Sequence, residues 1–207
     1  MYKNRQLLFA LILLLTMISV PVFAAKYEVP EVATDNLFPV VLLKTSMGDI
    51  KVELNRGRAP ESVNNFLRYV TEGFYNGTIF HRIIPEFVVQ GGGYDENLKE
   101  RGPLHDVIIN ESGNGLGNDS YTIAMARENP PHTANSQFYF NLVDNDKLNP
   151  SSKRWGYAVF GLVIEGEEVI DKMATVETHI DDATEYEDVP VKPVYLYKAV
   201  LIPAGEE

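Results

Sequence analysis

From residue 39 onward, apolar positions recur first with a period of two, then near 3.6, then with two again. In 49–54, Ile50, Val52 and Leu54 alternate with Asp49, Lys51 and Glu53, which predicts a strand with one buried and one wet face. Together with 39–46 it forms a hairpin turning at Met47-Gly48. In 59–72, Val63, Phe66, Leu67 and Val70 fall at i, i+3, i+4 and i+7, so this segment is a helix with a single apolar stripe. Pro60 and Glu61 suit its first turn and Gly73 its stop. Two short β-rich runs follow, 78–84 and 87–90, broken at Pro85 and closed by Gly91-Gly92-Gly93. Further strands are predicted at 121–127, 137–142, 157–164 and 192–202. A short helix at 167–175 turns Val169, Ile170 and Met173 inward. The polar segments 94–118 and 143–155 and the acidic segment 177–189 read as loops. Many strands, two distant helices and no alternating β-α pattern predict an all-β barrel with helical lids. Neither an internal repeat nor a linker divides the chain.

The first residues follow a different pattern. Lys3 and Arg5 precede an apolar run from Leu7 to Val20, and Pro21-Val22-Phe23-Ala24 then offers small residues for cleavage after Ala24. A charged start, a short apolar run and a small-residue site predict a secretory signal over 1–24. The run is shorter than the ~20 residues a membrane span needs. A polar arm over 25–38, a barrel domain over 39–204 and a tail over 205–207 complete the organisation. The expected location is exported, periplasmic or secreted, with no membrane association once the signal is removed.

Charge and composition narrow the partners. The 207 residues carry a formal charge of −11 without a basic cluster, which argues against nucleic acid and anionic membrane. There is no cysteine, so disulfides, thiol catalysis and zinc–thiolate sites are excluded. Asn76, Asn110 and Asn118 begin glycosylation sequons, relevant only in a host that glycosylates secreted chains. The four histidines are scattered, the glycine triplet fits no phosphate loop, and Ser62, Ser112 and Ser136 lack a nucleophile-elbow context. Asp144 and Asp146 read as a solvated pair. No metal site and no cofactor is expected, and nothing in the pattern demands a dimer, so a monomer is expected.

Arg82 stands out against this background. It lies inside an apolar strand run, beside His81 and two isoleucines. A guanidinium there is costly unless its donors meet acceptors. Either it is paired within the protein, or it faces a ligand's carbonyl at a surface.

Phe80-His81-Arg82-Ile83-Ile84-Pro85, Phe87, Gln90-Gly91-Gly92, Met125-Ala126, Ser136-Gln137-Phe138 and Val159-Phe160-Gly161, in that order and spacing, resemble the cyclophilin family of peptidyl-prolyl isomerases. The resemblance runs from about Pro39 to Ile202. It implies a closed eight-stranded antiparallel β-barrel capped by two α-helices, with an active groove on the outer surface. It also implies that Arg82 is the catalytic arginine, accompanied by Gln90 and His81. Phe87, Val88, Met125, Tyr139 and Leu148 would wall a pocket for the proline ring. Gln90, Ala126, Arg127 and Gln137 would contact the substrate backbone, with His81 and Tyr157 lining the groove. The implied substrates are proline-containing segments of unfolded or partly folded proteins. The implied role is the folding of exported proteins. The alternative is a proline-peptide-binding chaperone module with little turnover.

Five positions depart from the best-known family pattern. Val88 and Tyr139 stand where methionine and phenylalanine are usual, and Tyr157 occupies the place of a histidine. Glu86 replaces the glycine of a Pro-Gly-Phe turn. Lys147 stands where the drug-binding members carry tryptophan, and Trp155 lies eight residues later.

Overall fold

A computed structural model describes residues 32–205. The signal read over 1–24 and the start of the arm lie outside the described residues. Alternating apolar positions give β1 (Val40–Thr45) and β2 (Gly48–Leu54), and the amphipathic segment gives α1 (Pro60–Thr71). Then come β3 (Thr78–Phe80), β4 (Arg82–Ile84), β5 (Val88–Gly91), β6 (Thr122–Met125) and β7 (Phe138–Asn141). A single 3-10 turn at Asp146–Leu148 precedes β8 (Val159–Glu165) and α2 (Glu167–Met173). The short strands β9 (Thr178–His179) and β10 (Val189–Pro190) interrupt the acidic segment, and β11 (Val194–Leu201) ends the sheet.

Nine strands pair antiparallel in the order β3-β11-β1-β2-β8-β6-β7-β5-β4, while β9 and β10 pair with each other. The strands at the two ends of that order, β3 and β4, are separated in the chain only by His81. One strand therefore breaks at His81 and passes from the β11 edge to the β5 edge, which closes the wall. The wall has eight strands with one of them split, the barrel expected from the sequence, and closure leaves no long edge open to other chains.

Residues of period two fill the interior. Leu43, Ile50, Val52, Ile83, Val89, Ile123, Phe138, Phe140 and Phe160 share one buried cluster. The stripe of α1 enters it too, with Val63, Phe66 and Leu67 fully buried. The Phe66 ring meets Phe138 edge-on at 5.3 Å and Phe160 at 5.2 Å. Truncating such a ring costs roughly 3–5 kcal/mol. Val169, Ile170 and Met173 of α2 join the same cluster.

Ala59 supplies no side-chain cap to α1. Glu111, from the long 94–118 segment, does so from a distance: its carboxylate accepts from Glu61 N at 3.1 Å, Ser62 N at 2.8 Å and Ser62 Oγ at 2.7 Å. A carboxylate there satisfies orphan donors and complements the helix dipole. Burial nonetheless raises its pKa above the ordinary glutamate value.

The end of the polar arm is tied down. Arg56 donates Nη1 to Asn36 O at 2.6 Å and also bonds the carbonyls of Ala33 and Val32. At Gly91 a Cβ would stand 2.8 Å from the Phe80 ring, and Gly92 has φ +86° with Phe138 as close, so the triplet permits tight backbone approach. Two sequon asparagines are buried, Asn118 completely and Asn110 at 7% exposure, whereas Asn76 is exposed.

Candidate active site

Strand register carries the site. Arg82 pairs with Gln90 across β4 and β5, and Gln90 pairs with Tyr139 across β5 and β7. Tyr139 then pairs with Ala124 on β6, and Ala124 with Val159 on β8. Adjacent strands lie about 4.8 Å apart, so one row crosses five strands from a cation, over an amide, to an apolar floor. The alternate residues Ile83, Val89, Phe140 and Ile123 point into the barrel. The row therefore lies on the outer surface.

Val88, Ala124, Tyr139 and Val159 form a second apolar cluster, separate from the core, with Phe87, Leu116, Ala126, Leu148 and Tyr157 packed around it. The structure thus gathers Phe87, Val88, Tyr139, Leu148 and Tyr157 in one place. Met125 is not among them. It is 1% exposed and packs in the barrel core, because its parity on β6 is that of Ile123. The outward wall residue of β6 is Ala124 instead, and Ala124, Val159 and Leu116 were not assigned to the pocket from the sequence. The parity of β6 would have pointed to Ala124, since one of two adjacent strand residues must face out.

A buried amide network fixes the floor from behind. Tyr139 donates its hydroxyl to Asn118 Oδ1 at 2.7 Å, and Asn141 Nδ2 donates to the same oxygen at 3.2 Å. Asn145 Nδ2 donates to Asn141 Oδ1 at 2.8 Å and to Phe87 O at 2.9 Å. The aromatic floor and the Phe87 backbone are thereby coupled through three asparagines that periodicity gave no reason to select. Burial holds the Tyr139 hydroxyl well above its ordinary pKa, so it stays a donor.

Arg82 meets both descriptions that its position allowed. Its Nε lies 3.6 Å from Asp188 Oδ2, and its side chain is 39% exposed. The partner is a half-exposed carboxylate on the acidic segment, not an interior one, and Arg82 lines an open hollow with His81, Gln90 and Gln137. Gln90 Nε2 donates to Gln137 Oε1 at 3.0 Å, which orients both amides over the groove. His81 is 7% exposed, its ring 4.4 Å from that of Tyr94. Burial, reinforced by Arg82, lowers its pKa to about 3, so the imidazole is neutral at physiological pH.

Arg127 is differently engaged. Its guanidinium donates to the carbonyls of Gly156, Glu128, Asn129 and Trp155 and lies 4.4 Å over the Tyr157 ring. A smaller hollow is lined by Gln90, Ala126, Arg127, Glu128, Asn135 and Gln137. Glu86 holds φ 57°, a left-handed backbone conformation that glycine adopts more readily. Lys147 is exposed on the 3-10 turn. Trp155 stands edge-on to His132 at 5.2 Å and lines a separate hollow with Arg154, so it does not fill the place of Lys147. Among the described residues, no group of three His, Asp or Glu is placed to hold a metal ion.

Comparison with known proteins agrees with this geometry. The family model described as "Cyclophilin type peptidyl-prolyl cis-trans isomerase/CLD" matches residues 40–199. The peptidyl-prolyl cis-trans isomerase cyp18 of Streptomyces antibioticus is 48% identical over 165 residues, covering 78% of this chain and 98% of that protein. Peptidyl-prolyl cis-trans isomerase B of Escherichia coli is 44% identical over 160 residues, covering 76% and 96%. A crystal structure of a Cryptosporidium parvum cyclophilin type peptidyl-prolyl cis-trans isomerase superposes with a TM-score of 0.65 at 25% identity, covering 80% of this chain and 98% of that one. The same protein was also solved in the presence of the dipeptide Ala-Pro. A barrel closed at His81, an outer row running from Arg82 to Val159 and a family match across that whole span place the chain in the cyclophilin-type peptidyl-prolyl cis-trans isomerases.

Proposed function

We propose that the chain is exported and accelerates rotation about Xaa-Pro bonds in other exported proteins as they fold, with Arg82 as its catalytic cation. The row that sets Arg82 and Gln90 beside the apolar floor of Val88 and Tyr139 carries this reading. Rotation passes through a twisted amide that loses resonance, against a barrier of ~18–20 kcal/mol. In that state the prolyl nitrogen regains a lone pair and accepts a hydrogen bond. A guanidinium held beside it donates to that nitrogen, or anchors the adjacent carbonyl, without transferring its proton. The ring rests among Phe87, Tyr139 and Leu148 while the preceding carbonyl swings. Gln90, Gln137 and the main chain at Ala126 and Arg127 hold the peptide backbone. His81, buried and neutral, supports the strand break beside Arg82 and does not compete with its charge. Asp188 fixes the guanidinium from the side, and the half-exposed pair leaves donors free for substrate.

Uncatalysed Xaa-Pro isomerisation takes tens to hundreds of seconds, slow enough to limit folding. The pattern over 1–24 supports action after export, and a fusion of 1–24 to a periplasm-dependent reporter tests that part directly. For the chemistry, exchange NMR on an Ala-Pro-Phe peptide is the direct measurement. Arg82→Ala should reduce kcat/KM by at least ~100-fold with an unchanged circular dichroism spectrum. Wild-type peptide binding without turnover would instead identify a binding module.

A further inference from the structure

The acidic segment is built against the reaction site. β9 and β10 pair at its ends, Ile83 N donates to Asp188 O at 2.9 Å, and Asp188 meets Arg82. Asp181 knits the tip, accepting from Thr184 Oγ1 at 2.8 Å and Thr184 N at 2.9 Å, while its own N donates to Tyr186 O at 2.9 Å. A hollow of about 370 Å³ lies between this segment and the barrel wall, sharing Arg82 and Gln90 with the reaction site.

The lining of that hollow has one chemical sense. Glu128, Glu185 and Glu187 present three carboxylates, and none forms an ion pair with a described residue. The one guanidinium in the wall, Arg82, is already balanced by Asp188. Tyr94 and Tyr186 stand edge-to-face at 5.7 Å on the same wall. Aromatic faces beside unpaired carboxylates suit a cationic side chain. His81 adds an independent sign of a missing partner. It lines the hollow at 7% exposure, and its buried Nδ1 has no hydrogen-bond partner among the described residues. Buried polar atoms are rarely left so.

We propose that this hollow selects substrates carrying lysine or arginine close to the proline, with Glu185 and Glu187 as specificity-determining residues. The proposal rests on the isomerase reading and adds a substrate class to it. A residue spans at most about 3.6 Å of extended chain, so a hollow that shares Arg82 and Gln90 with the reaction site is reached from within two residues of the proline. Both glutamates are exposed, so the selection is electrostatic and screened by salt.

The test uses one alanine-rich host peptide around a single proline, with Lys or Glu placed at each of the two positions on either side. Exchange NMR gives kcat/KM for each member with the wild type and with the Glu185→Gln/Glu187→Gln variant. The expected result is a Lys:Glu ratio of about five or more at one position, smaller in 0.5 M salt and near one in the double variant. A wild-type ratio near one at every position overturns the proposal, as does a ratio that survives the double substitution. Absence of turnover for the unsubstituted alanine host would count against the isomerase reading alone. Peptide affinities from NMR titration then give the same ratio, and the same two outcomes apply.

Discussion

Arg82 illustrates how a single side chain is defined by its surroundings. An arginine in an apolar strand run required acceptors, and Asp188 supplies one from a segment more than a hundred residues away. Because that pair is half-exposed, its own worth is within ~0–1 kcal/mol, so its value lies in aim more than in stability. Glu86 shows the opposite case, a residue at odds with its backbone. A non-glycine residue at φ 57° carries a left-handed penalty of about 1–2 kcal/mol, partly offset by the greater unfolded-state entropy of glycine. Glu86→Gly is therefore expected to stabilise the fold by up to ~1 kcal/mol, read as a higher urea midpoint with an unchanged slope. A lower midpoint would mean that the Glu86 side chain contributes more than its backbone costs.

At the scale of elements, the site depends on segments that carry no periodic signal. The 94–118 segment caps α1 through Glu111 and supports the pocket floor through Asn118, so its length reflects two structural duties. Asn118 is completely buried and accepts from both Tyr139 and Asn141. Asn118→Ala leaves the Tyr139 hydroxyl buried without its acceptor, and an unsatisfied donor costs about 1–3 kcal/mol. Urea unfolding should show that loss, and kcat/KM should fall with it as the floor loosens. Unchanged stability would remove the network as the support of Tyr139. The α1 stripe, by contrast, was plain from spacing alone, since a helix must bury the face on which Val63, Phe66, Leu67 and Val70 recur.

For the whole molecule, closure of the barrel at His81 links stability to pH. The pKa of His81 falls from its ordinary 6.5 to about 3 on folding, so between these values the unfolded chain binds the extra proton. Its contribution is complete above pH 6.5 and is lost progressively as pH falls toward 3. At pH 5 the wild type should have lost about 2 kcal/mol through this residue relative to pH 7.5. Urea unfolding of wild type and His81→Gln at both values measures the difference. If both lose the same amount, the carboxylates alone account for acid sensitivity.

Pattern along the chain was sufficient for the barrel class and both helices, because burial imposes a period of two or 3.6 whatever the partner, while the family was legible only through the resemblance of its motifs in order and spacing. The strands at 78–84 and 87–90, and the pairing of a cation with an apolar wall, were visible in one short stretch. Parity errors entered only where a motif was carried across as a block, as with Met125, whose neighbour Ala124 faces outward. What the linear order could not contain was distance between segments far apart in sequence. The break at His81, the hold of Asp188 on Arg82, the asparagine network behind Tyr139 and the acidic hollow all arise from contacts between such segments. Local periodicity reports which face is buried, and only closure of the wall decides what that face, and the opposite one, will meet.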